Sequence, residues 1–246
     1  MQYRFWRVVI YAWWLFTRLI FWQVVMRRYF PERVERTNLS RWTGYARSFR
    51  EFAVEMGGVM IKLGQFVSTR GDILPPEVID ELASLRDEVP SVPGSDIRAI
   101  IAQELGSIDG RFEWLDDRPV AAASLGQVHR ARLCNGDRVV VKVQRPGIDE
   151  LCYTDLEALR TVARVVRTFP FIARRADTVA LADEFGRVLL EELSYLHEAR
   201  NAARFAEMFR HDLGVYVPQV YAEHTTDRVL TLEYVTTITI NDFAPP

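Results

Sequence analysis

Lysine is almost missing from this 246-residue chain: of 31 basic residues 29 are arginine, and only Lys62 and Lys142 are lysine. Cysteine is nearly as scarce, with Cys134 and Cys152 alone, and histidine numbers four. Two thiols exclude a disulfide framework and, with so few imidazoles, leave no zinc cluster, so a reducing compartment and two buried, apolar thiols are expected. Neither sign of charge is in surplus. The formal net charge is -2, which removes any general case for nucleic-acid binding, because no excess of cations is available to displace counterions from phosphates. Internal repeats, low-complexity linkers and the P-loop and dinucleotide fingerprints are all lacking, which excludes the ordinary nucleotide-binding enzymes. With 49% hydrophobic and 26% charged residues, disorder is excluded too, and the length suits one or two domains with a sizeable core.

Where arginine serves for nearly every solvated cation, the two lysines ask for a chemical reason. Lysine offers a compact, flexible ammonium that a tight phosphate or carboxylate site accepts while rejecting the broad guanidinium fork.

Residues Val8 to Met26 are nearly continuous in apolar and aromatic side chains, and four of the six tryptophans (Trp6, Trp13, Trp14, Trp22) lie in the first 22 positions. A membrane-spanning helix needs about 20 apolar residues, but Arg18 and Gln23 interrupt this run, and an arginine near mid-bilayer costs roughly 2.5 kcal/mol or more. At about 100° per residue Arg4, Arg7 and Arg18 share one sector of a helical wheel, and no acidic residue precedes Glu32. A cationic stripe beside a tryptophan-rich face describes a helix in the headgroup region of an anionic membrane. Interfacial attachment comes first, a span second, and a helix covered by a partner third. The long apolar stretch without a small-residue cleavage site argues against a removable leader.

Beyond Pro31 the pattern is amphipathic. Trp42, Tyr45, Phe49, Phe52 and Met56 predict a helix over residues 41–65, with a kink at Gly57-Gly58; Pro75-Pro76 opens another through Arg86, and Ser95 is placed to cap a third that stops at Gly106. The sequence then changes to short strands. Residues 127–133 and 138–144 flank Asn135-Gly136, a hairpin signal in which both turn positions need positive φ. In the second of these strands Val139, Val141 and Val143 face one way and Val140, Lys142 and Gln144 the other, so Lys142 projects among apolar neighbours and needs an anionic partner. Helices follow over residues 149–167 and 178–210, then strands over 215–224 and 228–234.

Four stretches, in this order, resemble the UbiB/AarF-type atypical kinases, over about residues 45 to 240. They are Lys62-Leu63-Gly64-Gln65 with Ser68-Thr69-Arg70 and Leu74-Pro75-Pro76; the alanine-rich loop Ala121-Ala122-Ala123-Ser124-Leu125-Gly126 running into Gln127-Val128-His129; Val141-Lys142-Val143-Gln144-Arg145-Pro146-Gly147; and Glu192 through Glu198 with Asn201. Any one alone is weak; the four together are specific. The resemblance implies an α+β fold: a kinase-like small lobe of mainly antiparallel sheet with a glutamate-bearing helix, plus a helical N-terminal extension and no large lobe. The corresponding division is 1–36 for membrane association, 37–108 for the helical extension, 109–235 for the small lobe and 236–246 for the start of a truncated linker.

By the same resemblance Lys142 holds nucleotide phosphates, with Glu198 as its orienting carboxylate. Ala121, Ala122, Ala123 and Ser124 cover the phosphates, while Glu233 and Val235 belong to the adenine-contacting hinge. Lys62, Gly64 and Gln65 lie across the substrate site, with Lys62 reaching toward Glu192. The exchanged pairing stays open, since residues six apart on a helix point about 120° apart. The family's Glu-x-Asp element reads Glu192-Leu193-Ser194 here, without its aspartate. His129 reads as a strand residue with a local hydrogen bond.

The cofactor implied is ATP or ADP with Mg, whose ligands are expected from the missing large lobe; no metal ligand is assigned to this chain. Asp242-Phe243-Ala244 imitates a metal-binding tripeptide but follows the hinge too closely to be one. The expected partners are an anionic membrane surface through residues 1–30, a downstream large-lobe chain and lipid-biosynthesis enzymes, with no nucleic acid. The expected location is the cytoplasmic face of a membrane, in a bacterium the inner one. The function implied is the ATP-binding part of a membrane-associated atypical kinase or ATPase supporting ubiquinone or isoprenoid-lipid metabolism. The alternative is a non-catalytic membrane module that binds lipid or protein.

Overall fold

The structure, a computed structural model, describes residues 1–71, 74–85, 90–174 and 176–236; the Asp242-Phe243-Ala244 tripeptide lies outside them. In chain order its elements are α1 (Gln2–Ile20), a π-helical continuation (Phe21–Met26), α2 (Arg27–Tyr29), α3 (Pro31–Arg36), α4 (Asn38–Met56), α5 (Val59–Ser68), α6 (Pro76–Ala83), α7 (Gly94–Leu105), β1 (Phe112–Ala122), β2 (Gly126–Leu133), β3 (Arg138–Gln144), α8 (Ile148–Arg167), α9 (Pro170–Ala173), α10 (Thr178–Leu193), α11 (Tyr195–Met208) and β4 (Val229–Glu233). The fold is α+β and divides into a helical unit (residues 1–89, 123–125 and 147–191) and a sheet unit (the rest).

In the sheet unit four antiparallel strands lie in the order β1-β2-β3-β4. Strand alternation does what the period of two requires: Val139, Val141 and Val143 are fully buried in a core with Ile97, Ile101 and Leu105 of α7 and with Phe112, Leu115 and Val229. The hairpin departs from expectation in its turn. Gly136 has φ of 92°, but among the described residues no non-glycine has a positive φ. The connection is therefore a longer loop, closed by Gly136 N–H to Leu133 O and Leu133 N–H to Asp137 O, with the Asn135 amide donating to Asp137 at 2.7 Å. Cys134 in that loop is exposed, against expectation, whereas Cys152 in α8 is buried. Burial, then the charges of Asp155 and Asp149, push its thiol up to about 12, which makes it inert.

Residues 215–224 do not form the expected strand. Pro218 supplies no N–H, and the main chain of the segment meets that of β4 at Val220 opposite Leu232, through Tyr221 N–H to Thr231 O and through Glu233 N–H to Gln219 O. Ser95 does not cap α7 either; the helix starts behind Pro93, and the Ser95 hydroxyl meets Asp96 instead. Gly57 and Gly58, at φ of 65° and 53°, break the expected long helix outright into α4 and α5, since two successive left-handed residues cannot continue a right-handed one.

In the helical unit α1 packs along α8, burying Val8 and Phe16. Arg4 donates to the Asp155 carboxylate at 2.8 and 2.6 Å and to Met56 O at 2.8 Å, and the Asp155 side chain is wholly buried. Arg7 pairs with Glu55 at 2.5 Å, and Arg18 stacks on Trp14. Of the three arginines on the expected stripe, Arg4 is thus committed to a buried carboxylate, whereas Arg7 and Arg18 make their contacts at the surface. Aromatic faces finish the joint: Tyr11 stacks on Phe52 at 4.0 Å, and Phe16 meets Phe169 edge-on. Outward, α1 still presents Tyr3, Trp6, Ile10, Trp13 and Trp14.

A buried carboxylate left without its guanidinium costs about 3–5 kcal/mol. Arg4→Ala is therefore expected to lower stability by about 3 kcal/mol in guanidinium denaturation and to expose α1 to protease. A second change, Asp155→Leu, should restore a good part of the loss.

Candidate functional site

The site grows from one face of the sheet. Val128 and Leu230 lie opposite Lys142 on the neighbouring strands, and Arg130 and Leu232 lie opposite Val140. Cross-strand partners share a face, so Lys142 stands among Val128, Val140, Leu230 and Leu232. Across Leu230 and Leu232 lies α11, whose Tyr195 and Ala199 complete a small buried cluster. The ammonium is met by Glu198 on that helix: Lys142 Nζ donates to Oε1 at 2.9 Å and Oε2 at 2.7 Å. It also lies 4.8 Å from the centre of the Tyr195 ring, within cation–π range.

Glu198 reaches that position because the expected long helix breaks. Ser194 has extended φ and ψ of -85° and 102°, and the break is pinned to the sheet. Tyr195 N–H donates to Asp227 O at 3.0 Å, the Gln144 amide donates to Leu193 O and to Asp227 O, and the Ser194 hydroxyl donates to Asp227 Oδ1 at 2.5 Å. Gln144 ends the lysine strand and Asp227 precedes β4, so three strand and helix ends meet there, and α11 starts one turn before Glu198. Serine suits this position, because an aspartate would set a second carboxylate against Asp227.

Side chains of Lys142 and Glu198 remain 30% and 43% exposed. An ion pair so wetted adds little stability, about 1 kcal/mol or less. An ammonium has three donors, and the carboxylate oxygens accept two, which leaves one for a ligand oxygen. Tyr195 beneath it is 1% exposed; burial, then the charges of Glu198 and Glu192, push its phenol well up, so it serves as a neutral floor and not as a base.

From Lys142 to the strand end, three residues or roughly 10 Å along β3, the half-buried Val128, Val140 and Leu232 form an apolar strip. At its end Glu233 and Tyr234 fasten the segment after β4: Tyr234 N–H donates to Arg138 O at 3.0 Å, and its ring lies under Arg138 and Arg130. The Glu233 carboxylate accepts from the Tyr216 hydroxyl and the Gln219 N–H. Of the expected hinge residues, Glu233 thus has its carboxylate and its N–H engaged by the 216–219 segment. A planar base against the strip and a phosphate at Lys142 match these residues.

Of the alanine-rich loop, Ala121 and Ala122 pair with Val128 and Gln127 as the end of β1, while Ala123 and Ser124 belong to the helical unit, where Ser124 is buried. The Gln127 amide donates to Val92 O and accepts from Val92 N–H, and it meets His129 Nε2 at 2.8 Å. His129 Nδ1 lies 2.8 Å from Asp116 O; a carbonyl only accepts, so Nδ1 donates and Nε2 accepts from Gln127. His129 is a fully bonded core residue, as its place on a strand suggested.

Lys62, Gly64 and Gln65 lie on α5 of the helical unit and Glu192 in the sheet unit. A side chain at Gly64 would overlap Leu85 and press on Phe49, and the Gln65 amide donates to Leu85 O at 2.8 Å. Both residues thus hold α5 to the end of α6. Among the described residues no group of three or more histidines, cysteines or acids is gathered for a metal.

Tyr195 and Asp227 escaped the sequence reading, which placed Gln144 on the Lys142 face but gave it no partner. An aromatic residue three before Glu198 shares its helix face, and that spacing was the available signal for Tyr195; for Asp227 the sequence held none.

A four-stranded antiparallel sheet with a lysine on its third strand, salt-bridged to a glutamate on a covering helix, is the small lobe of a kinase-like fold. The description "ABC1 atypical kinase-like domain" matches residues 84–245, and the chain belongs to that family. It is 45% identical over 199 residues to protein ACTIVITY OF BC1 COMPLEX KINASE 8, chloroplastic, of Arabidopsis thaliana, covering 80% of this chain and 26% of that protein. It is 38% identical over 191 residues to the probable protein kinase UbiB of Aeromonas hydrophila, covering 77% and 35%. Among solved structures, the complex of Rv3197 with erythromycin from Mycobacterium tuberculosis superposes with a TM-score of 0.56 at 28% identity, over 86% of this chain and 53% of that one. The chain thus spans about a quarter to a third of these curated relatives.

Because the pair is half wet, Lys142→Met and Glu198→Gln are each expected to shift the unfolding free energy by no more than about 1 kcal/mol, measured by thermal denaturation. Gly64→Val, by contrast, should cost about 1–3 kcal/mol through overpacking against Leu85 and Phe49.

Proposed function

We propose that this chain is the nucleotide-gripping part of a membrane-attached atypical kinase or ATPase that supports ubiquinone or isoprenoid-lipid metabolism. The observation that carries the reading is the Lys142–Glu198 pair: it adds little stability, stands on an apolar strip and keeps one ammonium donor for a phosphate oxygen. ATP or ADP binds with its base on Val128, Val140 and Leu232 and its phosphates at Lys142, by the Ala121-Ala122 end of β1. Mg shields the phosphate charge and takes its protein ligands from a large lobe on a longer or a separate chain. Lys62 of α5 guards the substrate side.

Membrane attachment is supported by residues 2–29, a helical stretch long and apolar enough to cross a bilayer by length and composition. The buried Arg4–Asp155 pair favours a helix that stays docked and lies in the interface at a cytoplasmic membrane face, the inner membrane in a bacterium, with Trp6, Trp13 and Trp14 toward the lipid and Arg27, Arg28 and Arg33 toward anionic headgroups. Lipid-biosynthesis enzymes at the same surface are the expected protein partners. A non-catalytic membrane module is the second reading, favoured by Ser194 in place of the family's aspartate.

The test is titration of the full chain, on anionic liposomes, with Mg-ATP and Mg-ADP. Lys142→Ala is expected to weaken nucleotide binding at least tenfold, about 1.4 kcal/mol, while liposome binding stays as it was. Liposome binding without nucleotide binding in the unsubstituted chain would support the second reading.

A further inference from the structure

Besides a carbon-lined recess between α5, α8 and α10, the helical unit holds a polar one of about 870 Å³ between α1, with its π-helical continuation, and α4. Two ladders of side chains line it. Trp14, Arg18 and Trp22 follow one another a helical turn apart on the α1 side, and Arg41, Tyr45 and Ser48 do so on α4. Arg18 lies over the Trp14 ring at 4.5 Å and Arg41 over the Trp22 ring at 4.3 Å, so an aromatic face holds each guanidinium where an ion pair would ordinarily do so. No acidic residue lines the recess, and among the described residues neither cation has a carboxylate partner.

The donors of these walls are largely uncommitted. Arg41 donates to Val34 O at 2.7 Å and to the Thr37 hydroxyl, whereas Arg18 and the Tyr45 hydroxyl bond to no described residue. Ser48 accepts from the Tyr11 hydroxyl at 3.3 Å and keeps its own proton to give. Burial holds the Tyr45 phenol above its usual range, against the pull of the Arg41 and Arg18 charges, so both cations act on the same hydroxyl. A planar carboxylate is satisfied by one guanidinium fork; a tetrahedral phosphate has oxygens enough for both forks and for the hydroxyls as well. The remaining volume and the aromatic walls fit an organic group. We infer that this recess binds the phosphate group of an organic phosphate ester, held by Arg18 and Arg41 together. A soluble ester and a phospholipid headgroup both present that group. The inference goes beyond the nucleotide function and does not require it.

The test uses the full chain and two phosphate probes, phenyl phosphate in solution and phosphatidic acid in phosphatidylcholine vesicles, with tryptophan fluorescence as the readout. Benzoate and vesicles of phosphatidylcholine alone are the comparisons. Saturable binding of at least one phosphate probe is expected, about tenfold or more tighter than its comparison. Arg18→Gln should weaken that binding about tenfold or more, and Arg18→Lys, which keeps the charge and loses the fork, about fivefold. Both variants should keep the melting temperature of the unsubstituted chain, because Arg18 bonds to no described residue. Binding of phenyl phosphate supports the assignment with a soluble ester as ligand; binding of the phosphatidic acid vesicles alone supports it with a lipid headgroup. Binding of neither probe, or of benzoate as tightly as phenyl phosphate, overturns it. Equal binding by the unsubstituted and Arg18→Lys chains also overturns it, since charge alone would then account for the attraction.

Discussion

A charged ammonium on an apolar sheet face sets the terms for the rest of the sheet unit. Lys142 is placed there by strand alternation, and an isolated cation among Val128, Val140 and Leu230 would carry a desolvation cost with nothing to offset it. Glu198 supplies the counter-charge, and for it to do so the chain must leave α10, turn at Ser194 and restart as α11 over the sheet. Gln144 and Asp227 tie that restart to the ends of β3 and β4, so the strand that carries the lysine also locates the helix that answers it. Tyr195 fills the space beneath both. The pair is left half exposed, which suits a grip on a ligand better than a structural clamp.

The helical unit uses charge differently. Arg4 and Asp155 form a buried, doubly hydrogen-bonded pair that fastens α1 to α8, and a cation committed in this way is not available to a membrane. The outer face of α1 is correspondingly aromatic. Lysine and arginine divide the work as their chemistry predicts: planar guanidinium groups make forked contacts at Asp155 and stack on Trp14 and Tyr234, and a compact ammonium sits where a third ligand oxygen has to approach.

Much of this was legible because it rests on local pattern. Two-residue alternation placed Lys142 and the Val139, Val141, Val143 core face, and the order of four short stretches pointed to the kinase-like family that residues 84–245 match. Boundaries that depend on contacts made elsewhere were not legible. Helical periodicity runs straight through Gly57-Gly58 and through Ser194, yet both are breaks. At the first, two left-handed residues turn the chain; at the second, a hydrogen bond donated by Gln144 and those accepted by Asp227, both distant in sequence, outweigh helix propensity. The stretch 215–224 alternates like a strand, but its partner β4 accepts only a few of its bonds. Cys134 shows the same limit, since a hydrophobic residue type says nothing about whether a loop is covered.

By itself the sequence determined the α+β class, the strand that presents Lys142, the aromatic and basic character of the first 30 residues and the family, because each is written in spacing and residue type within one segment. Only the tertiary structure decided that Glu198 is the residue on Lys142, that Arg4 is committed to the buried Asp155 inside the helical unit and that a carbon-lined recess opens between α5, α8 and α10. Each of these is a meeting of segments far apart in the chain. Their direction is fixed by where α8 and α11 break, pack and hydrogen-bond, and no local periodicity carries that information.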